Sequence, residues 1–348
     1  MHAVVLGRTG AADLLSLTEV APPAVGPGDV RIAVAACGVC FHDIVVRNGT
    51  FRRGVGLPVI LGHEVAGVVE ALGAQVSGFA VGDRVAATHH RHVCTACRHC
   101  RGGRETLCAE RVFLGDAGLN GGYAELVTIG AENVVAIPDG VGFAEAAVTG
   151  CAIGSELNAI VDVGRLMAGE RALVTGAGGG LGLHGVQLCR LGGAFTIGIT
   201  TTAAKAAQIA AAGADAVVVT SPGADFSAEV RARTAGEGAD IAIDNVGSTL
   251  FHPLRRSMAE GGRIVLVGQL GGEFASFSPA QLFLRGLSLL GAKGASRAQL
   301  ETSLRLVAQG RVRPVIAATL PLDAAATAHR MVESGQVAGR VVLIPPGR

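Results

Sequence analysis

Along roughly the first 150 residues, apolar side chains come in short runs broken by glycine, proline and charged positions. AVVL, DVRIAVAACGV, GHEVAGVVEALG, DRVAAT and GGYAELVTI have the β-branched content and bounding turn residues of strands, so this part is predicted to be mainly β. From about residue 154 the rhythm changes. RALVTGAG leads into a helical stretch over LHGVQLCRLGG, then AFTIGIT, a helix over AAKAAQIAAAGA, then DAVVV, ADIAIDNV and GRIVLVG. Strands alternating with helices predict a parallel sheet flanked by helices. Beyond LSLLGAKG the pattern predicts one helix, RAQLETSLRLVAQG, and a short strand, RVVLIPP, ended by prolines. This tail is expected to return to the first domain.

A chain of 348 residues has room for about two domains and substantial cores. A net charge of +1 with 16% charged residues excludes a polybasic or polyacidic device, so nucleic acid is not an expected partner. No run reaches about 18 uninterrupted apolar residues, and MHAVVLGRTGAADLL lacks the charged start and apolar core of a signal peptide. Neither membrane association nor export is expected.

Cysteine spacing sharpens the picture. CTACRHCRGGRETLC places Cys94, Cys97, Cys100 and Cys108 in a C-x2-C-x2-C-x7-C pattern that closes a tetrahedral thiolate cage, a structural zinc site. A separate cysteine in GVCFHD, a histidine in LGHE and a cysteine in TGCAIGS imply a second metal site. With most of the eight cysteines placed as ligands, a reducing cytoplasm fits better than a secreted disulfide scaffold. The lobe also carries Arg91, Arg98, Arg101 and Arg104 with His89, His90, His92 and His99. These cations offset the thiolate charge, and no aromatic platform for stacking bases accompanies them.

A strand, ALVT, runs into GAGGGLG and then a helix, the setting in which glycines allow a tight turn and the helix start faces a pyrophosphate. Gly176, Gly179, Gly180 and Gly182, with Leu181 among them, form a turn one residue longer than the strict G-x-G-x-x-G. Where the second strand ends, a carboxylate would hold a ribose 2′-hydroxyl; here stand Gly198, Ile199, Thr200, Thr201 and Thr202, followed by Lys205. Hydroxyls and a lysine suit a 2′-phosphate, so NADP(H) is favoured over NAD(H).

In this order GVCFHD, LGHEVAGVV, GDRV, the four-cysteine lobe, GGYAEL, TGCAIGS, the glycine turn and GRVVL resemble the zinc-containing medium-chain alcohol dehydrogenases over nearly the whole chain. The resemblance implies an α/β protein with a Rossmann-type doubly wound parallel sheet domain plus a mainly β GroES-like catalytic domain. It implies a catalytic domain over 1–153 with the zinc lobe at 89–111, a nucleotide-binding domain over 154–294, and a return to the catalytic domain over 295–348. Homodimers or homotetramers and two zinc ions per subunit are implied as well.

By the same resemblance Cys40, His63 and Cys151 are the catalytic zinc ligands, with Glu64 a further charge at the metal and Asp43 orienting His63. Ser155, Val267 and Gly268 would lie near the nicotinamide, and Arg340 would grip the pyrophosphate. The implied reaction is hydride transfer between the cofactor and a small alcohol, aldehyde or ketone. Two positions depart from the family. His42 stands where a serine or threonine relays the alcohol proton, and an imidazole can also carry a proton. Phe41 replaces a basic or polar residue. The enzymatic alternative is reduction of a C=C bond in an enone, enal or enoyl thioester, a chemistry of relatives that commonly lack the zinc ligands. Cys37 and Cys189 fit core packing, and Phe51, Leu57 and Phe113 fit either a substrate pocket or the core.

Overall fold

The computed structural model describes residues 1–50, 56–116 and 120–347, so Phe51 lies outside the described residues. Contacts divide the chain into two units, Met1–Gly154 with Gly294–Arg348, and Ser155–Lys293. The expected α/β class is what the molecule adopts: one unit is mainly β, the other a parallel sheet with helices.

In the first unit the strand Asp29–Val39 is the organising element. It pairs antiparallel with Glu64–Leu72, Leu126–Gly130 and Arg340–Ile344. Val30, Ile32 and Val34 enter a core with Leu6, Leu61, Ile129 and Tyr123, whereas Ala36 joins a second core with Ala66, Ala146 and Leu300. The register shifts between Val34 and Ala36, and such a bulge re-aims the side chains that follow. After the helix Arg297–Ala308, a strand Ile316–Pro321 and a helix Ala325–Glu333 precede Arg340–Ile344, which lies parallel to Ile316–Pro321. That strand and helix escape the sequence pattern; in the helix, AATAHRMVE presents a narrow stripe of small residues instead of large apolar ones.

The second unit carries six parallel strands in the order Ala216–Val219, Phe195–Thr200, Arg171–Val174, Ala239–Asp244, Met258–Leu266 and Ser288–Gly291. The first strand in sequence lies inside the sheet and the chain winds outward on both sides of it, the doubly wound arrangement. Helices Ser227–Arg233 and Phe251–Ser257 join those anticipated at Gly182–Leu191 and Ala206–Ala211. The glycine turn has a steric basis. Gly176 adopts φ +58°, and a Cβ on Gly182 would stand 2.2 Å from the Gly176 carbonyl oxygen, so the helix can start only where neither residue carries a side chain.

The helical stretch Phe143–Val163 is, among the described residues, the one helix long and apolar enough to cross a membrane. Since 78% of its apolar window is buried, packing accounts for its composition.

Candidate functional site

The sheet register of the first unit assembles a cluster from distant parts of the sequence. Gly38 pairs with Glu64 and Val39 with Val341, so Cys40, Glu64 and Arg340 converge at the ends of neighbouring strands. Gly38 is required there, because a Cβ would meet the Glu64 side chain at 2.2 Å. Cys40 caps the helix Phe41–Arg47, and Asp43 in its first turn accepts from the Cys40 N–H at 2.9 Å. His63 follows Gly62, whose φ of +95° makes the reversal that brings the imidazole inward. Cys151 sits on a wide π-turn, Thr149–Ile153, a distortion that often marks functional positions. Next to it, Gly150 lets the helix approach the strand Arg84–Ala87, with a Cβ reaching the Ala87 carbonyl at 2.7 Å.

The donor atoms of Cys40, His63, Glu64 and Cys151 all lie within 4.8 Å of one another. Two sulfurs, an imidazole nitrogen and a carboxylate in a buried cluster are the donor set that zinc takes. The electrostatics favour one thiolate, Cys40, while a hydrogen bond to Cys40 and burial hold Cys151 as a thiol. The Cys151 thiol donates to Cys40 and, with Arg340 adding positive charge, holds Cys40 well below the usual thiol range against the cost of burial. Arg340 lies 2.8 Å from Glu64 and 3.7 Å from each of the two sulfurs. Burial pushes the Glu64 carboxyl up to about 7 even with that guanidinium opposing.

Around His63, Asp43 is 1% exposed and accepts from four donors: His63 Nδ1 at 3.1 Å, Gly62 N–H at 3.3 Å, Cys40 N–H at 2.9 Å and the Tyr123 hydroxyl at 3.1 Å. With Nδ1 turned to the carboxylate, the Nε2 lone pair is left for a metal. His42 packs on Phe113 with ring centroids 4.7 Å apart, Phe113 packs on His63 at 5.0 Å, and His42 Nε2 is 3.6 Å from Asp116.

The second cluster is local. Cys94, Cys97, Cys100 and Cys108 also hold their sulfurs within 4.8 Å, with Cys94–Cys100 at 3.9 Å and Cys97–Cys100 at 3.6 Å. Tetrahedral zinc with bonds near 2.3 Å requires sulfur–sulfur edges of about 3.8 Å. The observed spacings match that and exceed any disulfide. Backbone N–H groups of Cys97, Cys100 and Cys94 donate to the sulfurs of Cys94, Cys97 and Cys108, and the donation from Cys100 draws the Cys97 thiol down to about 7.

In the second unit, Gly176, Gly179, Gly180, Leu181 and Gly182 form the turn before Gly182–Leu191, closed by a Gly179 N–H to Gly176 carbonyl bond of 2.8 Å. Lys205 is 7% exposed and its stem lies across Gly178, where a Cβ would meet Lys205 Cδ at 2.6 Å. Thr200 is buried at the strand end and Thr201 is exposed. Val267 and Gly268 follow the strand Met258–Leu266, donate to the Asp244 carbonyl, and line a cavity of about 380 Å³ with Asp244, Gly247 and Phe251. Ser155 is buried. Arg340, read from its motif as a phosphate partner, lies 2.8 Å from Glu64 and against the Cys40 thiol of the first unit. Sequence reasoning missed Asp116, Tyr123 and His329. The available signal for Tyr123 was that it is the only tyrosine in the chain and stands in GGYAEL.

Comparison with known proteins gives the family. Residues 26–139 match the alcohol dehydrogenase GroES-like domain and residues 212–343 the zinc-binding dehydrogenase domain. An acryloyl-coenzyme A reductase of Sulfurisphaera tokodaii is 33% identical over 94% of this chain and 96% of its own. An alcohol dehydrogenase of Geobacillus stearothermophilus is 33% identical with the same coverage, 94% and 96%. The crystal structure of AibC superposes with a TM-score of 0.91 at 41% identity, covering 99% of this chain and 96% of that one.

Proposed function

Because the chain belongs to the zinc-containing medium-chain dehydrogenase/reductase family, we propose that it transfers hydride between a nicotinamide cofactor and a small primary or secondary alcohol, or the matching aldehyde or ketone. The observation that carries this is the cluster of Cys40, His63, Glu64 and Cys151 donor atoms within 4.8 Å. Cys40, His63 and Cys151 would hold zinc, with Glu64 the alternative fourth donor, and zinc bound there supplies Lewis-acid polarisation of a substrate oxygen. Asp43 fixes the imidazole, Arg340 offsets the negative charge of Glu64 and the thiolate, and His42 is positioned to carry a proton. Cys94, Cys97, Cys100 and Cys108 would hold a second, structural zinc.

In this reading Met1–Gly154 with Gly294–Arg348 is the catalytic unit and Ser155–Lys293 the nucleotide-binding unit. Gly176 to Gly182 would take the pyrophosphate, and Thr200, Thr201 and Lys205 the ribose 2′-phosphate of NADP(H), which is favoured over NAD(H). Ser155, Val267 and Gly268 would border the nicotinamide. A homodimer or homotetramer in the reducing cytoplasm fits the family and the free thiols.

A second reading has specific support. The acryloyl-coenzyme A reductase relative, together with an imidazole where the usual relay hydroxyl stands, favours NADPH-dependent reduction of a C=C bond. Cinnamaldehyde offers both bonds. With NADPH, cinnamyl alcohol formed by the native enzyme, lost on zinc removal and restored by zinc, is the expected result. Hydrocinnamaldehyde formed with or without the metal would replace the first reading by the second.

A further inference from the structure

The hydrogen bonds on Asp43 continue away from the metal cluster. Its Oδ2 accepts from the Tyr123 hydroxyl at 3.1 Å, and that hydroxyl lies 3.1 Å from Nε2 of His329 on the helix Ala325–Glu333. Tyr123 and His329 are each 0% exposed, so these bonds lie out of reach of bulk solvent. The proton positions follow from donor counting. A carboxylate receiving four donors is ionised and can only accept. The Tyr123 proton therefore points to Asp43, its oxygen lone pair faces His329, and His329 must donate from Nε2. The ring is then neutral, with Nδ1 bearing a lone pair, and Nδ1 is the ring atom that lacks a hydrogen-bond partner. Burial, which holds His329 down to about 4, agrees with a neutral ring.

Tyr123 is also pressed against the ligand's own backbone. A Cβ on Gly62, the residue before His63, would come within 2.4 Å of the Tyr123 ring. The phenol thus contacts the imidazole's support twice, through Asp43 and through Gly62.

We infer that Tyr123 and His329 are positioning residues for the metal ligand His63: His329 aims the Tyr123 hydroxyl, and Tyr123 fixes the Asp43 carboxylate that turns His63 Nε2 towards Cys40 and Cys151. The inference rests on the metal-binding reading of Cys40, His63 and Cys151. It extends the support of the cluster to a helix near the C-terminus, more than 280 positions along the chain from Asp43.

The test compares full-length wild type with Tyr123→Phe, His329→Leu and His329→Gln. Readouts are the rate of zinc extraction by a chelator and the visible absorption of protein whose catalytic zinc is replaced by cobalt. Outer-shell changes at a metal site alter affinity by about 10–100-fold. Tyr123→Phe is expected to speed loss of the first zinc about tenfold and to shift the cobalt bands, while the four-cysteine zinc leaves at the wild-type rate. His329→Leu is expected to move both readouts in the same direction by less. His329→Gln, whose amide N–H can stand where Nε2–H stood, restores them. If Tyr123→Phe does not fold, the His329 pair alone decides. Extraction rates and cobalt spectra unchanged in a wild type holding two zinc ions and in all variants would overturn the inference alone. Equal acceleration at both zinc sites would overturn it too, since that is the signature of general destabilisation. A wild type that binds only the four-cysteine zinc would overturn the metal-binding reading together with it.

Discussion

Asp43→Asn isolates the charge at the centre of the site without changing its shape. The carboxylate accepts four hydrogen bonds, two on each oxygen, whereas an asparagine offers one oxygen and one NH2. If the NH2 replaces Oδ1 it meets the His63 Nδ1–H and the Gly62 N–H; the imidazole escapes only by moving its proton to Nε2, where the metal needs a lone pair. If it replaces Oδ2 it meets the Tyr123 hydroxyl, which can rotate, and the Cys40 N–H, which cannot. Either way a buried donor is orphaned beside a metal ligand, at a cost of about 1–3 kcal/mol. An outer-shell loss of about 10–100-fold in metal affinity converts to roughly 1.4–2.7 kcal/mol at 1.36 kcal/mol per decade, so the two routes agree. Zinc competition against a chelator and kcat for alcohol oxidation, measured on the same preparation, are both expected to fall about tenfold or more. The zinc on Cys94, Cys97, Cys100 and Cys108 should be retained. An Asp43→Asn enzyme within about threefold of wild type in both measurements would refute the claim that this carboxylate selects the ligating tautomer.

Two further outcomes are expected. Lys205→Ala should raise the Kd for NADPH about tenfold, as for loss of one charged contact of roughly 1.4 kcal/mol, and change that for NADH far less; equal effects by fluorescence titration would detach Lys205 from the 2′-phosphate. Arg171 donates to both Asp240 oxygens at 2.7 and 2.8 Å and holds that carboxyl below its usual range. The unfolded chain therefore takes up the proton first as pH falls, and the pair's contribution is complete above the unfolded value near 3.8 and disappears as pH drops through the lower folded one. The urea-midpoint gap between wild type and Asp240→Asn should be full at about pH 6 and close towards about pH 3; a gap that widens on acidification would contradict the sign.

What could be read directly from the sequence was mostly local. The four cysteines of the lobe lie within 15 residues, Cys94 to Cys108; two of their backbone N–H to sulfur bonds are made inside single turns and the third joins the two ends of the lobe. The glycine turn is likewise decided by one steric contact, Gly182 against the Gly176 carbonyl, and the doubly wound sheet by strands and helices that alternate in order. Two of the missed helices share a physical reason. Phe143–Val148 and Ala325–Glu333 are rich in alanine and bury small side chains, so their apolar stripe lacks the large residues that make a helical period visible. Tyr123, Asp116 and His329 carry no spacing signal at all. Tyr123 and His329 meet only because the helix Ala325–Glu333 packs into the core that also holds Tyr123, through Ala325 and Ala328.

Arg340 shows how much a motif leaves open. GRVVL supplies an arginine at the start of a strand, and a guanidinium suits a phosphate, but the motif does not say which charges the strand's neighbours present. The register Val341 to Val39 and Gly38 to Glu64 puts the guanidinium 2.8 Å from a carboxylate that is 0% exposed. Removing Glu64 from water raises its carboxyl to about 7 even with the Arg340 guanidinium beside it, so without that cation the acid would be protonated at neutral pH and its charge lost to the cluster. Arg340 opposes that shift and at the same time lies 3.7 Å from both the Cys40 and the Cys151 sulfur, favouring thiolate over thiol. One buried cation thus acts on three of the four donors, and the strand register, which cannot be read from the motif, is what gives it that position.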